Sequence, residues 1–211
     1  MKIIYLESVD STQHYLKQLI RTKKITESYA VSAETQTNGI GSRNNSWYGL
    51  KGNLFLSFSV PLDILPKDLK LESASIYFSY ILKDTLAQLG SKVWLKWPND
   101  FYINDKKIGG MITNVNDGFL ICGVGINLLK APENFGVLDI VISKKDFLER
   151  YFANIEKKVL WKQVFSKYKL EFSRNKNFFT HSDGLRVSLA ETNLEEDGSI
   201  SINGERIYSL R

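Results

Sequence analysis

The stretch VWLKWPNDFYINDKKIGGMITNVNDGFLICGVGIN, residues 93–127, decides the fold. Short apolar runs at 93–97, 101–103, 108–115 and 119–122 are separated by Asn104-Asp105-Lys106 and Asn116-Asp117-Gly118. Asp-Gly between alternating apolar runs signals a hairpin, because both residues tolerate the positive φ of a tight turn. The stretch predicts an antiparallel meander. Gly123 and Gly125 interrupt the last run. A glycine inside a strand weakens it and marks a bulge or a close approach.

Outward from the meander, the pattern adds strands and helices. Residues 3–6, 29–33 and 54–60 read as strands, and 36–53 as a long polar loop with four glycines. Ser11 and Thr12 precede Leu16, Leu19 and Ile20 at helical spacing, so they belong at a helix start where backbone N–H groups are unpaired. Leu71, Ala74, Phe78, Ile81, Leu82, Leu86 and Leu89 mark an amphipathic helix ending at Gly90. Ser143…Asp146 resembles a capping box before a helix over 147–159, and a further helix follows over 160–172. From about residue 175 the pattern changes. Leu185, Val187 and Leu189, then Ile200 and Ile202, alternate around Asp197-Gly198 and Asn203-Gly204. This predicts a small β module of about three strands. The expected class is α+β: a largely antiparallel sheet with flanking helices over 1–174, and a small β domain over 175–211.

The chain has 211 residues, 43% hydrophobic and 24% charged. That composition excludes collagen, a disordered tail and a disulfide scaffold. No apolar run approaches the roughly 18–20 residues of a membrane helix. The N-terminus lacks a signal-peptide pattern, and the single Cys122 has no partner for a disulfide, so the cytoplasm is the expected compartment. Two histidines and one cysteine assemble no zinc ligand set. The net charge of +5 suits an acidic protein partner, a polyphosphate ligand or weak nucleic-acid contact, and equally a solvated basic surface.

Four motifs carry candidate chemistry. In Gln36…Gly39-Ile40-Gly41-Ser42-Arg43…Trp47, glycines let backbone amides approach an anion and Arg43 adds a fixed charge. The same residues suit a surface loop anchored by Trp47. Lys96-Trp97-Pro98-Asn99-Asp100 joins a cation, a carboxylate and an amide at a turn. Lys96 can face a phosphate and Asp100 can hold Mg²⁺, or the polar groups can simply satisfy the turn. Lys107 before Gly109-Gly110 lets a ligand lie against backbone, or marks a bulged hairpin. Gly123-Val124-Gly125-Ile126-Asn127 combines a close approach with an amide suited to an adenine edge, or a bulge with a turn-capping Asn.

Taken in order, Ser11-Thr12-Gln13, the Gln36–Trp47 loop, KWPND at 96–100, KxGG from Lys107 and GxGIN at 123–127 resemble the biotin–protein ligases. The resemblance implies a fold like that of the class II aminoacyl-tRNA synthetases, with an SH3-like C-terminal domain. It implies an enzyme that uses ATP to activate biotin as biotinyl-5′-AMP. Transfer then goes to a lysine of a biotin carboxyl carrier domain of acetyl-CoA carboxylase or a related carboxylase. By the match, Ser11, Thr12, Gln13, Gln36, Gly39, Ile40, Gly41, Lys107 and Gly110 bind biotin. Arg43, Trp47, Lys96, Asn99 and Asn127 bind ATP or the adenylate, and Asp100 holds Mg²⁺ through ATP or water. Lys107, Lys96 and Arg43 carry the catalysis by positioning and charge stabilisation.

This chain departs from the family pattern at Ile40 and Ser42, where arginines are usual, and at Gln13, where Asn is common. It begins at the catalytic strand, so the resemblance points to the monofunctional class and no DNA partner is expected. No membrane partner is expected either, and a homodimer is compatible with the match. Lipoate–protein ligase shares the fold and chemistry, but its RxxGGGxVxH-type segment is missing. A non-catalytic biotin- or nucleotide-binding regulator is a second alternative, and a nucleic-acid-binding module a third.

Overall fold

A computed structural model describes residues 1–41, 46–47, 50–182 and 184–208. In chain order the strands are β1 (Lys2–Val9), β2 (Tyr29–Gln36), β3 (Gly39–Ile40), β4 (Ser46–Trp47), β5 (Leu54–Pro61), β6 (Trp94–Lys96), β7 (Asp100–Ile103), β8 (Lys106–Asn116) and β9 (Phe119–Ile126). The C-terminal segment adds β10 (Phe179–Ser182), β11 (Leu185–Ser188), β12 (Asn193–Leu194), β13 (Ile200–Ile202) and β14 (Glu205–Ile207). Helices are α1 (Thr12–Arg21), α2 (Ala74–Gln88), α3 (Lys144–Glu156) and α4 (Trp161–Glu171).

The meander forms as the sequence predicts. Strands β6 to β9 are joined antiparallel, with Asn104, Asp117 and Gly118 taking positive φ at the turns. They complete a seven-stranded sheet in the order β1-β2-β5-β9-β8-β7-β6. Only β1 and β2 pair in parallel within it, and α1 supplies the crossover that a parallel pair requires. Strand β9 does not stop at its glycines; it pairs through Gly123 and Gly125 on both sides.

Alternation assigns the two faces of the sheet. Leu54, Leu56, Phe58 and Val60 of β5, with Leu120, Cys122, Val124 and Ile126 of β9, enter the large core shared with α2, α3 and α4. Val31 and Ile121 point the other way, onto Leu16, Ile20 and Ile25 beside α1. Helix α2 is buried on nearly every side rather than along one stripe, because helices and the C-terminal segment cover it. Its small Ser75 and Ser79 permit that close cover.

Helix ends follow the chemistry of their caps. The Ser11 Oγ accepts from the His14 N–H at 3.4 Å, and the Ser143 Oγ from the Asp146 N–H at 3.3 Å. Asp68 caps α4 from a distance, accepting from Trp161 and Lys162 N–H groups at 2.9 and 3.0 Å.

The C-terminal segment holds more strand than its alternation indicated. A β10–β11 hairpin precedes a β12-β13-β14 sheet, and the extra strands are too short to show a period. The expected division after residue 174 falls inside the 3-10 stretch Phe172–Asn177. Leu189 and Ile200 lie in the same core as α2.

Candidate active site

A cavity lies on the α1 face of the sheet, at the end away from Ile121. Its cause is the glycine alternation in β9. Where Ile121 packs on α1, Gly123 and Gly125 leave room for other side chains. A Cβ on Gly123 would stand 3.2 Å from Gln13 Nε2, and one on Gly125 would stand 2.4 Å from the Trp47 indole. The interrupting glycines therefore seat Gln13 and Trp47 directly on backbone, one on each side of Val124.

The closed end of the cavity is polar. Gln36 Oε1 accepts from the Thr12 N–H at 2.8 Å and from Thr12 Oγ1 at 2.9 Å. Thr12 Oγ1 also meets Ser57 Oγ at 2.9 Å. Ser11, Gln13, Ile40 and Gly41 complete this end. Gln13 Nε2 and the Trp47 indole N–H are buried without a hydrogen-bond partner among the described residues. A buried donor with no acceptor is costly, so both are positions where a ligand oxygen or nitrogen would be stabilising. Gly39 stands behind the wall instead of lining it: a Cβ there would collide with Trp47 O at 2.6 Å. Its role is to let β3 and β4 pair.

The open end is charged. Lys107 Nζ lies 2.6 Å from Asp100 Oδ1, and Lys96 Nζ lies 3.8 Å from Asp100 Oδ2. Two lysines on one carboxylate leave an excess positive charge, which favours an anion. Asn99 ties this turn to the pocket floor: its Nδ2 donates to Met111 O at 2.6 Å, and its carbonyl accepts from the Met111 N–H at 3.0 Å. Trp97 ties it to the C-terminal segment. Its backbone N–H donates to Asn175 Oδ1 at 2.6 Å and its indole N–H to Gly198 O at 2.8 Å. Gly110 keeps the Asp100 carboxylate clear, since a Cβ there would stand 3.1 Å from Oδ1. Beside them, burial first and Asp100 second push the Tyr102 phenol up to about 12, so it stays neutral.

The structure thus gathers Ser11, Thr12, Gln13, Gln36, Ile40, Gly41, Trp47, Asn99, Asp100, Lys107 and Gly110 around one cavity. Lys96 lines an adjoining outer groove rather than the cavity. Arg43 lies outside the described residues. Asn127 is 2% exposed and does not line the cavity. Its Oδ1 accepts from Asn53 Nδ2 at 3.3 Å, and its Nδ2 donates to Gly136 O at 3.2 Å. Those bonds clamp the segment after β9. Ser57 and Asn175 were not anticipated. A serine in the apolar run 54–60 was a usable signal for Ser57; nothing in the sequence marks Asn175.

A family model described as the biotin/lipoate A/B protein ligase family matches residues 5–129. The chain belongs to that family. A solved structure of a biotin acetyl coenzyme A carboxylase synthetase from Helicobacter pylori, with bound biotinylated ATP, is 38% identical in sequence. It covers 98% of this chain and 99% of its own, at a TM-score of 0.93. The bifunctional ligase/repressor BirA of Escherichia coli is 32% identical over 133 residues, 60% of this chain. That alignment spans 40% of the Escherichia coli protein's length. A biotin protein ligase from Aquifex aeolicus, in complex with biotin and ATP, shares the fold at a TM-score of 0.81 and 23% identity.

Proposed function

We propose that this chain is a biotin–protein ligase, which makes biotinyl-5′-AMP from biotin and ATP and transfers biotin to a lysine of a carboxyl carrier domain. One observation carries the reading: a cavity with a dense polar cluster at its closed end and Lys107 with Asp100 at its open end. A ureido ring has two donors and one acceptor, which suits Ser11, Thr12, Gln13 and Gln36. The dithiolane of lipoate has no such groups, so the same cluster disfavours it. The Helicobacter pylori relative was solved with biotinylated ATP, and the two chains align along nearly their whole length.

In the first step a biotin carboxylate oxygen bonds to the α-phosphorus and the bond to the bridging oxygen breaks, releasing pyrophosphate. Lys107 stands where the carboxylate and the α-phosphate meet, so one ammonium serves both anions. In the second step the acceptor amine attacks the acyl carbon, AMP leaves, and the amine gives up a proton. Neither step needs a protein nucleophile. Among the described residues no cluster of three or more His, Cys, Asp or Glu could cage a metal. The donor set fits a Mg²⁺ that arrives on the triphosphate and takes a single carboxylate, Asp100. A partner rich in acidic side chains suits the net charge of +5. A cytoplasmic setting suits an ATP-consuming modification of a carboxylase. No helix among the described residues is long and apolar enough to cross a membrane.

The test is pyrophosphate–ATP exchange with biotin or lipoate as the only added acid. Exchange that requires biotin supports the reading. Exchange with lipoate alone, or with neither acid, overturns it.

A further inference from the structure

Lys107 stands on a weakly supported stretch of β8. Pairing with β9 ends at Gly109, opposite Ile126. On the other side the register against β7 shifts: Phe101 faces Gly109 and Tyr102 faces Lys107, which leaves Ile108 as an extra residue. Such a bulge interrupts the ladder and re-aims a side chain. The segment after β9 replaces the missing ladder. The Asn127 N–H donates to Ile108 O at 2.7 Å, and the Gly136 N–H to Lys107 O at 2.9 Å. We propose that Asn53, which none of the sequence motifs singles out, is a positioning residue for the reaction: it shapes the segment 127–138 and through it aims Lys107. The proposal rests on the ligase reading, which puts Lys107 at the reacting groups.

Three observations support it. First, Asn53 is 0% exposed, and its amide bonds to this one segment. Its Oδ1 accepts from the N–H groups of Leu128, Leu129 and Lys130 at 3.0, 3.1 and 3.3 Å. Its Nδ2 donates to Lys130 O at 2.7 Å and to Asn127 Oδ1 at 3.3 Å. One oxygen that gathers three consecutive N–H groups dictates the shape of the turn that carries them. Second, the turn hands that shape on to β8. Asn127 O accepts from the Leu138 N–H at 2.8 Å and its Nδ2 donates to Gly136 O at 3.2 Å, so the segment folds back on itself and lies along Lys107 and Ile108.

Third, the approach of that segment is close at Lys107 itself. A Cβ on Gly136 would stand 3.0 Å from Lys106 Cβ and 3.1 Å from Ile108 Cγ2, the neighbours on either side of Lys107. Asn53 also leads directly into β5, whose Leu56 and Ser57 line the cavity. One buried amide therefore ties the strand under the polar end of the cavity to the backbone of the lysine at its open end. An ammonium that must meet both the carboxylate and the α-phosphate depends on such placement, since a small displacement of a reacting group is costly in rate.

The experiment is biotin-dependent pyrophosphate–ATP exchange by the full chain and by Asn53→Ala and Gly136→Ala, each made in the parent and in Lys107→Met. It is run at a temperature where urea curves show the variants folded. The expected result is a fall of about 10- to 100-fold in kcat for Asn53→Ala, with KM for biotin within about threefold of the parent. In Lys107→Met the same change should alter kcat by less than about twofold, because the group it aims is gone. A merely structural role would lower the urea midpoint and give equal losses in both backgrounds. Gly136 is half-buried in a surface segment, so Gly136→Ala carries the test if Asn53→Ala does not fold. Its kcat should fall about fivefold or more at an unchanged urea midpoint, and again not in Lys107→Met. Parental kcat in folded Asn53→Ala (or, where that variant does not fold, in Gly136→Ala), or equal losses in both backgrounds, overturns the proposal. If the parent shows no biotin-dependent exchange, the ligase reading fails instead. Amide hydrogen exchange then decides the positioning by itself: protection of the Asn127 and Gly136 N–H groups should drop about tenfold or more in Asn53→Ala, and unchanged protection overturns it.

Discussion

On one face of the seven-stranded sheet, Phe58 meets Phe78, Tyr151 and Phe152 edge-on, with ring centres 5.5 to 5.7 Å apart. On the other face of the same sheet, Gly123 and Gly125 present bare backbone to Gln13 and Trp47. The helix-covered face buries large apolar groups, and the polar atoms it leaves without a partner among the described residues, the Ser75, Ser79 and Tyr168 hydroxyls, sit between helices. The α1 face holds two buried donors with no acceptor among the described residues, and two lysines on one carboxylate. Large side chains fill one face, while on the other bare backbone lines a cavity. The two faces should therefore respond to mutation in different currencies: unfolding free energy on one, kinetic constants on the other.

The largest separation is expected from Phe58→Ala. Deleting a fully buried ring should cost about 3–5 kcal/mol in urea unfolding. At a temperature where the variant is folded, KM for biotin should stay at the parent value. A loss of biotin affinity with little loss of stability would break the division between the faces.

The converse is Lys107→Met. Removing the ammonium that faces the reacting groups should lower biotin-dependent exchange by about 10²–10³-fold. Unfolding should shift by less than about 1 kcal/mol, because the pair with Asp100 is partly exposed. Asp100 is then left with Lys96, so the carboxylate remains paired.

Thr12→Val sharpens the comparison inside the site. It removes the bonds from Oγ1 to Gln36 and Ser57 and keeps the backbone bond from Thr12 N–H to Gln36. Leaving those polar groups unpaired costs about 1–3 kcal/mol, a rise of roughly 5- to 150-fold in the Kd for biotin. Calorimetric titration with biotin measures it. An equal loss in unfolding free energy with unchanged Kd would return Thr12 to the scaffold.

How much of this was legible beforehand divides along the same line. The meander was readable because turn dipeptides and alternation are local signals, and β6 to β9 appear in their expected order. The site glycines were readable as positions of close approach, but not what approaches. Trp47 reaches Gly125 only because β3 and β4 fold back on each other. Asn127 adds a part that is not local. Its amide also bonds within the fold, where Asn53, 74 residues earlier, takes part of its bonding capacity. A sequence shows which groups can hydrogen-bond and not which have already done so. Trp97 is the same case: both its donors end on the C-terminal segment, at Asn175 and Gly198.

The smallest expected effect is acid sensitivity, and it belongs to the scaffold. Burial raises the affinity of Asp68, Asp139 and Asp197 for protons, but hydrogen bonds outweigh it and hold all three below the ordinary carboxylate range. For Asp68 the donors are the N–H groups that open α4; for Asp139 they are the Ser91 hydroxyl and the Lys92 N–H; for Asp197 they are both donors of Ser199. A carboxyl whose folded pKa is depressed stabilises the fold above its unfolded pKa. That stabilisation is lost as pH falls through the folded value. The window therefore opens near the ordinary value of 3.8 and extends below it. The urea midpoint should be flat from pH 7 to about pH 5, then fall steadily on further acidification. Asp197→Asn, which keeps the shape but does not titrate, should lower the midpoint at pH 7 and flatten part of the acid slope. Asp139 is exposed and Asp68 partly so, which leaves their shifts salt-screened, whereas the Asp197 side chain is only 10% exposed. A fall that begins above pH 5 would point away from them, to a group whose protonation weakens the fold at higher pH.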